Sequence, residues 1–444
     1  MKTINFLLAA LLCTVSASAQ NMFKYFTPDD FAARRAKLME QIGDGVAVLQ
    51  GADLTEAYIK FRQDNDFYYL TGVEMPWCAV MINGKTKTTT LFVPEGRLAD
   101  IKDEALIAVG PEAAKTYKVN SVLPKSAMTA MLTGAANRGQ AFYVMTSPEE
   151  TAEMSRDRCA GLRTTRLSDP WDGRISKELT FINKLKERFP MITIKDLTPI
   201  MDEMRWVKDA KEIAVLRECG KIGAHGFDEA MRVTRPGMYE YQIAAAADFV
   251  FENEGAMGPS YFPIAASAAR GLSWHNNPNN HSIKSGVVMM MDYAPELLYY
   301  STDITRTWPV EGKFTDIQLK YYNCVKEASE KVIAAMKPGI TIEDMNNIAK
   351  GVYAKYGYEK MYPGGIGHYV GMAVHDVGPR DKAFVPGVVF NVEPILEDKN
   401  MKLHIRLEDT IIITADGHEN VTAGTTTDPE AMYKLVKEKG IGEK

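Results

Sequence analysis

Two aspartates stand at the ends of neighbouring apolar runs in the middle of the chain. The β-type run 287–291 stops on Asp292, and a second such run carries Asp303 eleven residues later. A turn near Leu297 and Leu298 would make these runs an antiparallel hairpin in which the two aspartates face each other. Directly opposed residues have Cβ atoms roughly 4.5–5.5 Å apart. Two carboxylates this close repel each other unless a proton or a cation lies between them.

A second pair of carboxylates follows the same pattern further along the chain. Glu393 lies at the end of the apolar strand pattern in 388–396, and Glu408 lies among strong β formers in 404–414. A glutamate on a buried strand is costly unless a metal, an arginine or a proton compensates its charge. Arg406 is two positions from Glu408 on the same strand face, so it is a candidate for that partner.

Two histidines lie between these carboxylate pairs in a glycine-broken segment, 364–376. Taken alone, His368 or His375 is more often a buried core group than a ligand, but glycines let the backbone approach a ligand closely. Four carboxylates and the His368 imidazole would form a sensible shell for two divalent cations. Two metals can hold one hydroxide between them at neutral pH, and such a hydroxide can attack a carbonyl.

The region that holds these residues contains an internal repeat. Arg-Pro-Gly-Met at 235–238 and Lys-Pro-Gly-Ile at 337–340 stand 102 residues apart, each after a helical pattern and before another. Two copies of helix, turn and helix indicate a duplicated half, with a site expected where the halves meet. The positions that match in register are Ala247 with Ala349, Val250 with Val352, Phe251 with Tyr353, and Gly255 with Gly357.

The chain before this repeat has a different character. From about Phe26 to Pro199, helical and strand patterns alternate, which predicts a three-layer α/β domain with a mixed sheet. This part contains no histidine and no glycine-rich phosphate-binding motif. With 444 residues, 46% of them hydrophobic, the chain should form two domains, and a net charge of −5 favours neither nucleic acid nor an anionic membrane surface as a partner.

The first nineteen residues are typical of a secretory signal peptide. Lys2 precedes an apolar run, and Ala17-Ser18-Ala19 matches a cleavage site, so Gln20 should begin an exported protein, periplasmic or secreted. The apolar run is too short to span a bilayer, and no later segment is apolar enough to do so. The four cysteines after the signal could form disulfides or remain buried thiols; they are Cys78, Cys159, Cys219 and Cys324.

Six short motifs carry a resemblance to a known enzyme family. They are WHNN around His275, MMMDYA at Asp292, STDITRTWPVEGKF at Asp303, GIGHYVGMAVHD at His368 and His375, VEPIL at Glu393 and RLED at Glu408. In this order they resemble the pita-bread metallopeptidases, and most of all the aminopeptidase P and prolidase branch. Segments 61–72, 204–217 and 235–238 extend the resemblance over almost the whole chain after residue 19.

The resemblance implies an α/β (α+β) chain in two domains. A creatinase-type mixed-sheet domain would occupy residues 20–199, and a pita-bread catalytic domain with pseudo-twofold symmetry would occupy residues 200–444. It also implies a homo-oligomer, a dimer or a tetramer, across whose interface the N-terminal domain would limit access to the cleft.

The resemblance further implies a role for each matched residue. Asp292 would hold one metal, Asp303 and Glu408 would bridge both, and His368 and Glu393 would complete the other. The general base would be Glu393, and His275 and His375 would donate hydrogen bonds to the substrate carbonyl or the tetrahedral intermediate. Arg406 would support the metal carboxylates. Manganese is the usual metal of the family, and the ligand types also suit zinc and cobalt. The other histidines match no family role and are interpreted as structural; they are His225, His281, His404 and His418.

Three positions depart from the family pattern. Gly364 stands where close relatives often carry a histidine, four residues before His368, and this bears on how the substrate is held. Glu56 stands where the family has an aspartate with a possible proton-shuttle role. The loop between Glu393 and Glu408 is shorter than in many relatives, so the rim of the cleft should differ.

The leading functional hypothesis is an exported dinuclear Xaa-Pro aminopeptidase. It would remove the first residue from small peptides that have proline in second position. An Xaa-Pro dipeptidase would need a site closed behind the proline carboxylate, and a non-catalytic peptide-binding relative would bind peptide without metal. A creatinase-type amidinohydrolase shares the fold but works without metal, so the complete set of five ligand positions argues against it.

Overall fold

The computed structural model describes residues 24–55, 59–95, 106–150 and 156–442. The predicted signal peptide and Glu56 therefore lie outside the described residues. The chain forms two compact units. The first extends to Tyr143 and includes Met191–Lys195, and the second comprises Val144–Pro190 and the chain from Asp196. The structure groups Val144–Pro190 with the second unit. The domain boundary at 199/200 stays a prediction.

The first unit is built on a six-stranded sheet with the strand order β4-β3-β2-β1-β5-β6. Strands β1, β2 and β3 pair antiparallel and β3 pairs parallel with β4, so the sheet is mixed, as predicted. The strands are β1 Val46–Gln50, β2 Ala79–Asn83, β3 Thr88–Val93, β4 Ser121–Pro124, β5 Phe142–Val144 and β6 Ile194–Asp196. The helices are α1 Pro28–Ile42, α2 Asn65–Thr71, α3 Pro111–Thr116 and α4 Met128–Asn137, with a 3₁₀ turn at Lys125–Ala127.

The second unit places long helices around short antiparallel sheets. Its helices are α5 Arg156–Ser168, α6 Lys177–Arg188, α7 Thr198–Trp206, α8 Ala210–Val233, α9 Glu240–Asn253, α10 Asp316–Ala335, α11 Ile342–Tyr356 and α12 Pro429–Leu435, with 3₁₀ turns at Ala268–Leu272 and Glu359–Met361. Its strands are β7 Gly258–Pro259, β8 Ile264–Ser267, β9 Val288–Asp292, β10 Pro295–Leu297, β11 Tyr300–Ser301, β12 Thr305–Pro309, β13 Val389–Val392, β14 Ile395–Asp398, β15 Leu403–Arg406, β16 Asp409–Ile413 and β17 His418–Asn420.

The predicted internal repeat is present in the backbone. Helices α8 and α9 repeat as α10 and α11, and each pair is joined by a Pro-Gly turn whose glycine has positive φ, +89° at Gly237 and +95° at Gly339. The two turns make equivalent backbone hydrogen bonds to a later segment of the chain. The amide of Gly237 donates to the carbonyl of Ile283 (2.9 Å), and that of Gly339 donates to the carbonyl of Phe384 (2.8 Å). The pseudo-twofold architecture predicted from the sequence is therefore confirmed.

Capping fixes where the repeated helices begin. The Asp209 side chain accepts hydrogen bonds from the first turn of α8, and the Glu212 carboxylate accepts one from the Asp209 amide (2.9 Å). The second carboxylate oxygen of Glu212 accepts a bond from the Tyr300 hydroxyl (2.8 Å), which ties the start of α8 to β11. Thr315 and Thr341 form equivalent capping boxes at the starts of α10 and α11. These helices support the strands that carry the carboxylates.

The hairpin of Asp292 and Asp303 forms with a different register from the predicted one. Its tight turn consists of Leu298 and Tyr299, which both have positive φ, +49° and +72°. This turn makes Thr305, and not Asp303, the partner of Asp292 in the β9–β12 ladder. The register differs from the expected one by two residues. Because side chains alternate along a strand, a shift of two keeps both aspartates on the same face.

The second carboxylate pair lies at the same point of the other half. Strand β13 pairs with β16 up to Val392 and Asp409, and β14 pairs with β15 from Ile395 and Arg406. The two ladders share the same register, and Glu393 and Glu408 lie between them. The two glutamates therefore face each other. An antiparallel bridge between Thr305 and Glu408 joins the two halves at this level.

None of the helices in the described ranges is long and apolar enough to cross a membrane. The four described cysteines, at positions 78, 159, 219 and 324, are all buried free thiols. Burial raises the pKa of Cys78 and of Cys219 to about 12, so both remain protonated at neutral pH.

A buried ion-pair network lies directly after His375 in the second unit. The fully buried Asp376 carboxylate pairs with Arg205 (2.6 Å) and with Lys208 (3.0 Å). Arg205 also pairs with Glu150 (3.0 Å), which extends the network to Arg156 of α5 (3.1 Å). Burial alone would raise the pKa of Asp376, but the charges of Lys208 and Arg205 outweigh it and lower the pKa to about 2.

Replacement of Asp376 should be strongly destabilising. Asp376→Asn removes the anion that Lys208 and Arg205 share, leaving Arg205 with Glu150 alone, and should lower the free energy of unfolding by about 3–5 kcal/mol at neutral pH. The folded-state pKa lies below the unfolded value of about 3.9, so the carboxylate stabilises the fold above that value, and this contribution is lost as pH falls toward about 2. Denaturant titrations should therefore show the difference between wild type and variant narrowing over that interval.

The exposed pair of Glu203 and Lys382 (3.1 Å) supplies a matched control. Glu203→Gln should change the free energy of unfolding by less than about 1 kcal/mol, because exposed ion pairs contribute little. Equal effects of the two variants would contradict the role assigned to the buried network.

Candidate metal centre

The carboxylates of Asp292 and Asp303 meet at one tyrosine hydroxyl. The Tyr261 oxygen lies 2.7 Å from an oxygen of each carboxylate, and all three side chains are buried. A hydroxyl has one proton and can donate to only one of the two carboxylates at a time. Burial and the charge of Asp292 raise the pKa of Asp303 well above its ordinary value. The pair therefore needs a proton or a cation.

Residues from both halves of the repeat meet where the bridging carboxylates of the metal site are predicted. Asp303, His368 and Glu408 offer ligand atoms that all lie within 4.8 Å of one another. His368 Nε2 lies 3.4 Å from Asp303 Oδ2, and its Nδ1 lies 3.0 Å from the carbonyl oxygen of Tyr369. Burial lowers the pKa of His368 to about 4, so its ring is neutral at pH 7, the form in which histidine binds metals.

Glu393 and Glu408 complete the group of four carboxylates. Burial and the neighbouring charge of Glu408 raise the pKa of Glu393 well above its ordinary value. Burial and the charges of Asp303 and Asp292 do the same for Glu408. Glu408 also accepts a hydrogen bond from the Thr305 hydroxyl (2.6 Å), which fixes one of its oxygens.

Arg406 lies beside a different carboxylate from the one considered in the sequence analysis. Its guanidinium pairs with Asp292 at 2.7 Å, whereas the sequence analysis considered Glu408 as its partner. Strand alternation does place Arg406 on the face of Glu408, but its long side chain reaches the end of β9 in the other half. Burial would lower the pKa of Arg406, and the surrounding carboxylates outweigh burial and raise it, so the group remains charged.

The remaining predicted residues lie on two sides of this centre. The His375 ring stacks on the His368 ring with a centroid distance of 3.6 Å. Burial and the nearby His368 lower the pKa of His375 to about 2. His275 lies on an exposed loop with its Nδ1 3.2 Å from a guanidinium nitrogen of Arg158, and partial desolvation together with that charge lowers its pKa. Both imidazoles are therefore neutral and can donate one hydrogen bond each.

A cavity of about 450 Å³ opens beside His368 and His375. Its wall includes Arg163 and Arg380, together with Ser147 from the segment before α5. It is large enough for a few residues of a peptide. Its lining carries both signs of charge, since Asp157, Asp202 and Asp376 also contribute to the wall.

Three supporting residues were missed by the sequence analysis. Asn391 holds His368 through its side-chain oxygen (2.5 Å to the backbone amide), and its side-chain nitrogen contacts Glu408. An asparagine inside the apolar run of β13 was a signal, since a buried amide needs partners. The remaining two are Tyr261 and Arg158, and nothing in the sequence distinguishes these residues from ordinary core or surface residues.

Glycine is required at two positions beside His368. A side chain at Gly367 would place its Cβ 2.2 Å from the carbonyl oxygen of Asn391, so no larger residue fits there. Gly364 has a φ of +87°, a conformation that favours glycine and would strain the histidine that relatives carry. The departure at Gly364 therefore agrees with the local backbone.

The donor set fits divalent metal ions. Four carboxylates and a neutral imidazole converge, three of the carboxyl groups have raised pKa values, and one hydroxyl cannot satisfy two carboxylates. Cations would relieve this repulsion, and oxygen and imidazole ligands suit manganese, cobalt or zinc. The roles of the five ligand positions stay predictions.

Comparisons with known proteins agree with this site. Residues 214–415 match metallopeptidase family M24, and residues 31–144 match the N-terminal domain of aminopeptidase P. The chain is 29% identical to the Xaa-Pro aminopeptidase of Escherichia coli K12, over 92% of this chain and 97% of that protein. It is 30% identical to the Xaa-Pro dipeptidase of Pyrococcus horikoshii, over 54% of this chain and 70% of that protein.

A solved structure shows the same architecture over nearly the whole chain. The E. coli aminopeptidase P with the inhibitor Pro-Leu superimposes with a TM-score of 0.76 at 27% identity, covering 93% of this chain and 98% of that one. The chain therefore belongs to metallopeptidase family M24 and is a metallo-aminopeptidase of the Xaa-Pro aminopeptidase type.

Proposed function

We propose that this protein hydrolyses the bond before proline in peptides of the form Xaa-Pro-Yaa and releases the first residue. The observation that carries the proposal is the convergence of Asp303 from one half of the repeat and Glu408 from the other on His368. The charges of Asp292 and Glu393 act on the same group. The match to proteins named Xaa-Pro aminopeptidase over more than nine tenths of both chains supports the choice of substrate.

Asp292, Asp303, His368, Glu393 and Glu408 would hold two divalent ions, with manganese as our proposal for the native metal. Ions bound there would polarise the scissile carbonyl and lower the pKa of the attacking water. The Tyr261 hydroxyl and the Arg406 guanidinium orient the aspartates. Asn391 and Thr305 orient Glu408.

Glu393 is positioned to move the proton. Its carboxylate lies beside Glu408 among the proposed ligands, so it could take a proton from the attacking water and deliver it to the leaving proline nitrogen. The neutral rings of His275 and His375 can donate hydrogen bonds to the oxygen that becomes negative in the tetrahedral intermediate. Residues after the proline would enter the cavity beside His375.

The substrate class is tested with three peptides. Protein purified with manganese should hydrolyse Ala-Pro-Ala and should leave Ala-Ala-Ala intact, as measured by chromatography of released alanine. Cleavage of Ala-Pro but not Ala-Pro-Ala would instead assign a dipeptidase, the activity named for the P. horikoshii relative. Hydrolysis of neither proline peptide, with metal bound, would contradict the proposal.

The catalytic role of Glu393 is tested in the same assay. Glu393→Gln should lower kcat by about 10²–10⁴, since that is the usual contribution of general acid–base catalysis. The matched control is Glu359→Gln on an exposed turn, which should retain the wild-type rate. A Glu393→Gln protein with wild-type kcat would exclude Glu393 as the base.

The raised carboxyl pKa values predict how metal changes the pH dependence of stability. Asp303, Glu393 and Glu408 hold protons more tightly when folded than when unfolded, so they stabilise the metal-free protein at low pH. This contribution is lost as pH rises above the ordinary carboxyl pKa of about 4. Thermal unfolding should show the metal-free protein losing stability as pH rises and manganese restoring it. A metal-free protein that gains stability over this range would contradict the electrostatic description of the site.

Export belongs to the same proposal and rests on the sequence of residues 1–19. Cell fractionation should recover the protein outside the cytoplasm, with an N-terminus at Gln20, and deletion of residues 2–19 should retain it inside. A cytoplasmic protein that keeps residue 1 would disprove export. The predicted dimer or tetramer is measured by light scattering on the same preparation.

A further inference from the structure

A second polar cluster lies on the same hairpin as the metal ligands and is not used in the mechanism. Strands β14 and β15 pair Ile395 with Arg406 and Glu397 with His404. These pairs lie two and four residues along each strand from the pair of Glu393 and Glu408. Glu397 therefore lies on the face of the hairpin that carries the metal ligands, about 13 Å along the strand from Glu393.

An indole joins this cluster to the loop of His275. The Trp274 ring nitrogen donates to Glu397 Oε1 at 2.6 Å, and His404 Nδ1 lies 3.4 Å from the same oxygen. Trp274 directly precedes His275, whose electrostatic surroundings include Asp292 and Arg406. The cluster is therefore near the metal centre, and Trp274, Glu397 and His404 do not line the cavity next to His375.

Glu397 carries the negative charge of the cluster, and the charge of Lys399 also acts on it. Burial lowers the pKa of His404, so its ring is neutral, while the adjacent His404 and the Trp274 indole lower the pKa of Glu397, which stays ionised. The charge of Arg406 is balanced by Asp292. His404 Nε2 is buried without a hydrogen-bond partner among the described residues.

One oxygen of Glu397 remains available. Within the described ranges, its Oε2 has no hydrogen-bond donor, and the Glu397 side chain is 14% exposed. The Trp274 ring beside it is 37% exposed. An ionised carboxylate at the edge of an exposed indole is a suitable receptor for a cation, which could pair with the carboxylate and pack on the ring.

We infer that Glu397 and Trp274 form the binding site for the side chain of the substrate's first residue and favour arginine or lysine there. This inference rests on the proposed function. The substrate's own ammonium group is too close to the scissile carbonyl to reach Glu397, since only the α-carbon separates them. A long basic side chain would extend from the metal centre along the hairpin toward Glu397. There it would pair with the Glu397 carboxylate and pack on the Trp274 ring.

The test measures binding without turnover. Arginine is compared with citrulline, its uncharged isostere, in Xaa-Pro-Ala peptides whose scissile amide is replaced by a methyleneamine. Calorimetry on the manganese-loaded wild-type protein should give a Kd at least about tenfold lower for the arginine peptide, because a charge-assisted hydrogen bond is replaced by a neutral one. Equal affinities would overturn the inference.

Variants test whether Glu397 causes the preference for the arginine peptide over the citrulline peptide. Glu397→Gln should bring the two Kd values together, whereas the matched substitution Glu359→Gln should preserve the difference. Weaker binding of both peptides by the same factor in Glu397→Gln would show that Glu397 only anchors the Trp274 loop and would overturn the inference. Because binding is read without hydrolysis, this result is independent of the Ala-Pro-Ala assay, which tests the proposed function.

Discussion

The structure depends on the electrostatic cost of placing four carboxylates together in a buried site. Asp292, Asp303, Glu393 and Glu408 come from strands of two different hairpins, and three of the four have raised pKa values because they are buried near one another. Without a counter-charge, such a group would favour an open or protonated state. Arg406 offsets part of the repulsion, and the rest calls for bound cations.

The internal repeat explains how a single chain meets this demand. Each half supplies a hairpin that is supported by a pair of long helices, and the bridge between Thr305 and Glu408 joins the halves at the level of the carboxylates. Around the centre, neutral groups of fixed geometry hold the charged ones. Tyr261 contacts both aspartates, and Asn391 contacts His368 and Glu408. These contacts orient the aspartates, His368 and Glu408.

Much of this arrangement could be predicted from the sequence, because carboxylates that interrupt apolar strands are conspicuous. The repeat was visible from the glycines that its turns require, and the pairing of Asp292 with Asp303 was predicted on the correct face. The register was wrong by two residues. The turn uses Leu298 and Tyr299, neither of which favours positive φ. The burial of Tyr299 and Tyr300 and the hydrogen bond from Tyr300 to Glu212 are contacts with distant segments that hold it.

Contacts between distant segments were beyond the sequence. Arg406 was considered as a partner of Glu408 on its own strand, but its side chain extends to Asp292 of the other half. Arg158 reaches His275 from α5, 117 residues away in the chain. The pairing of Trp274 with Glu397 likewise depends on how the loop of Trp274 approaches strand β14. Local periodicity contains no information about such contacts.

The most direct test of this account is the metal content of the purified protein, measured by plasma mass spectrometry beside Asp303→Asn and Glu408→Ala. The account predicts two divalent ions per wild-type chain and a loss of at least one ion in each variant, because these two carboxylates would be shared between the two metal sites. A wild-type chain that binds no metal, or variants that retain both ions, would contradict the central claim that these four carboxylates exist to bind a pair of metal ions.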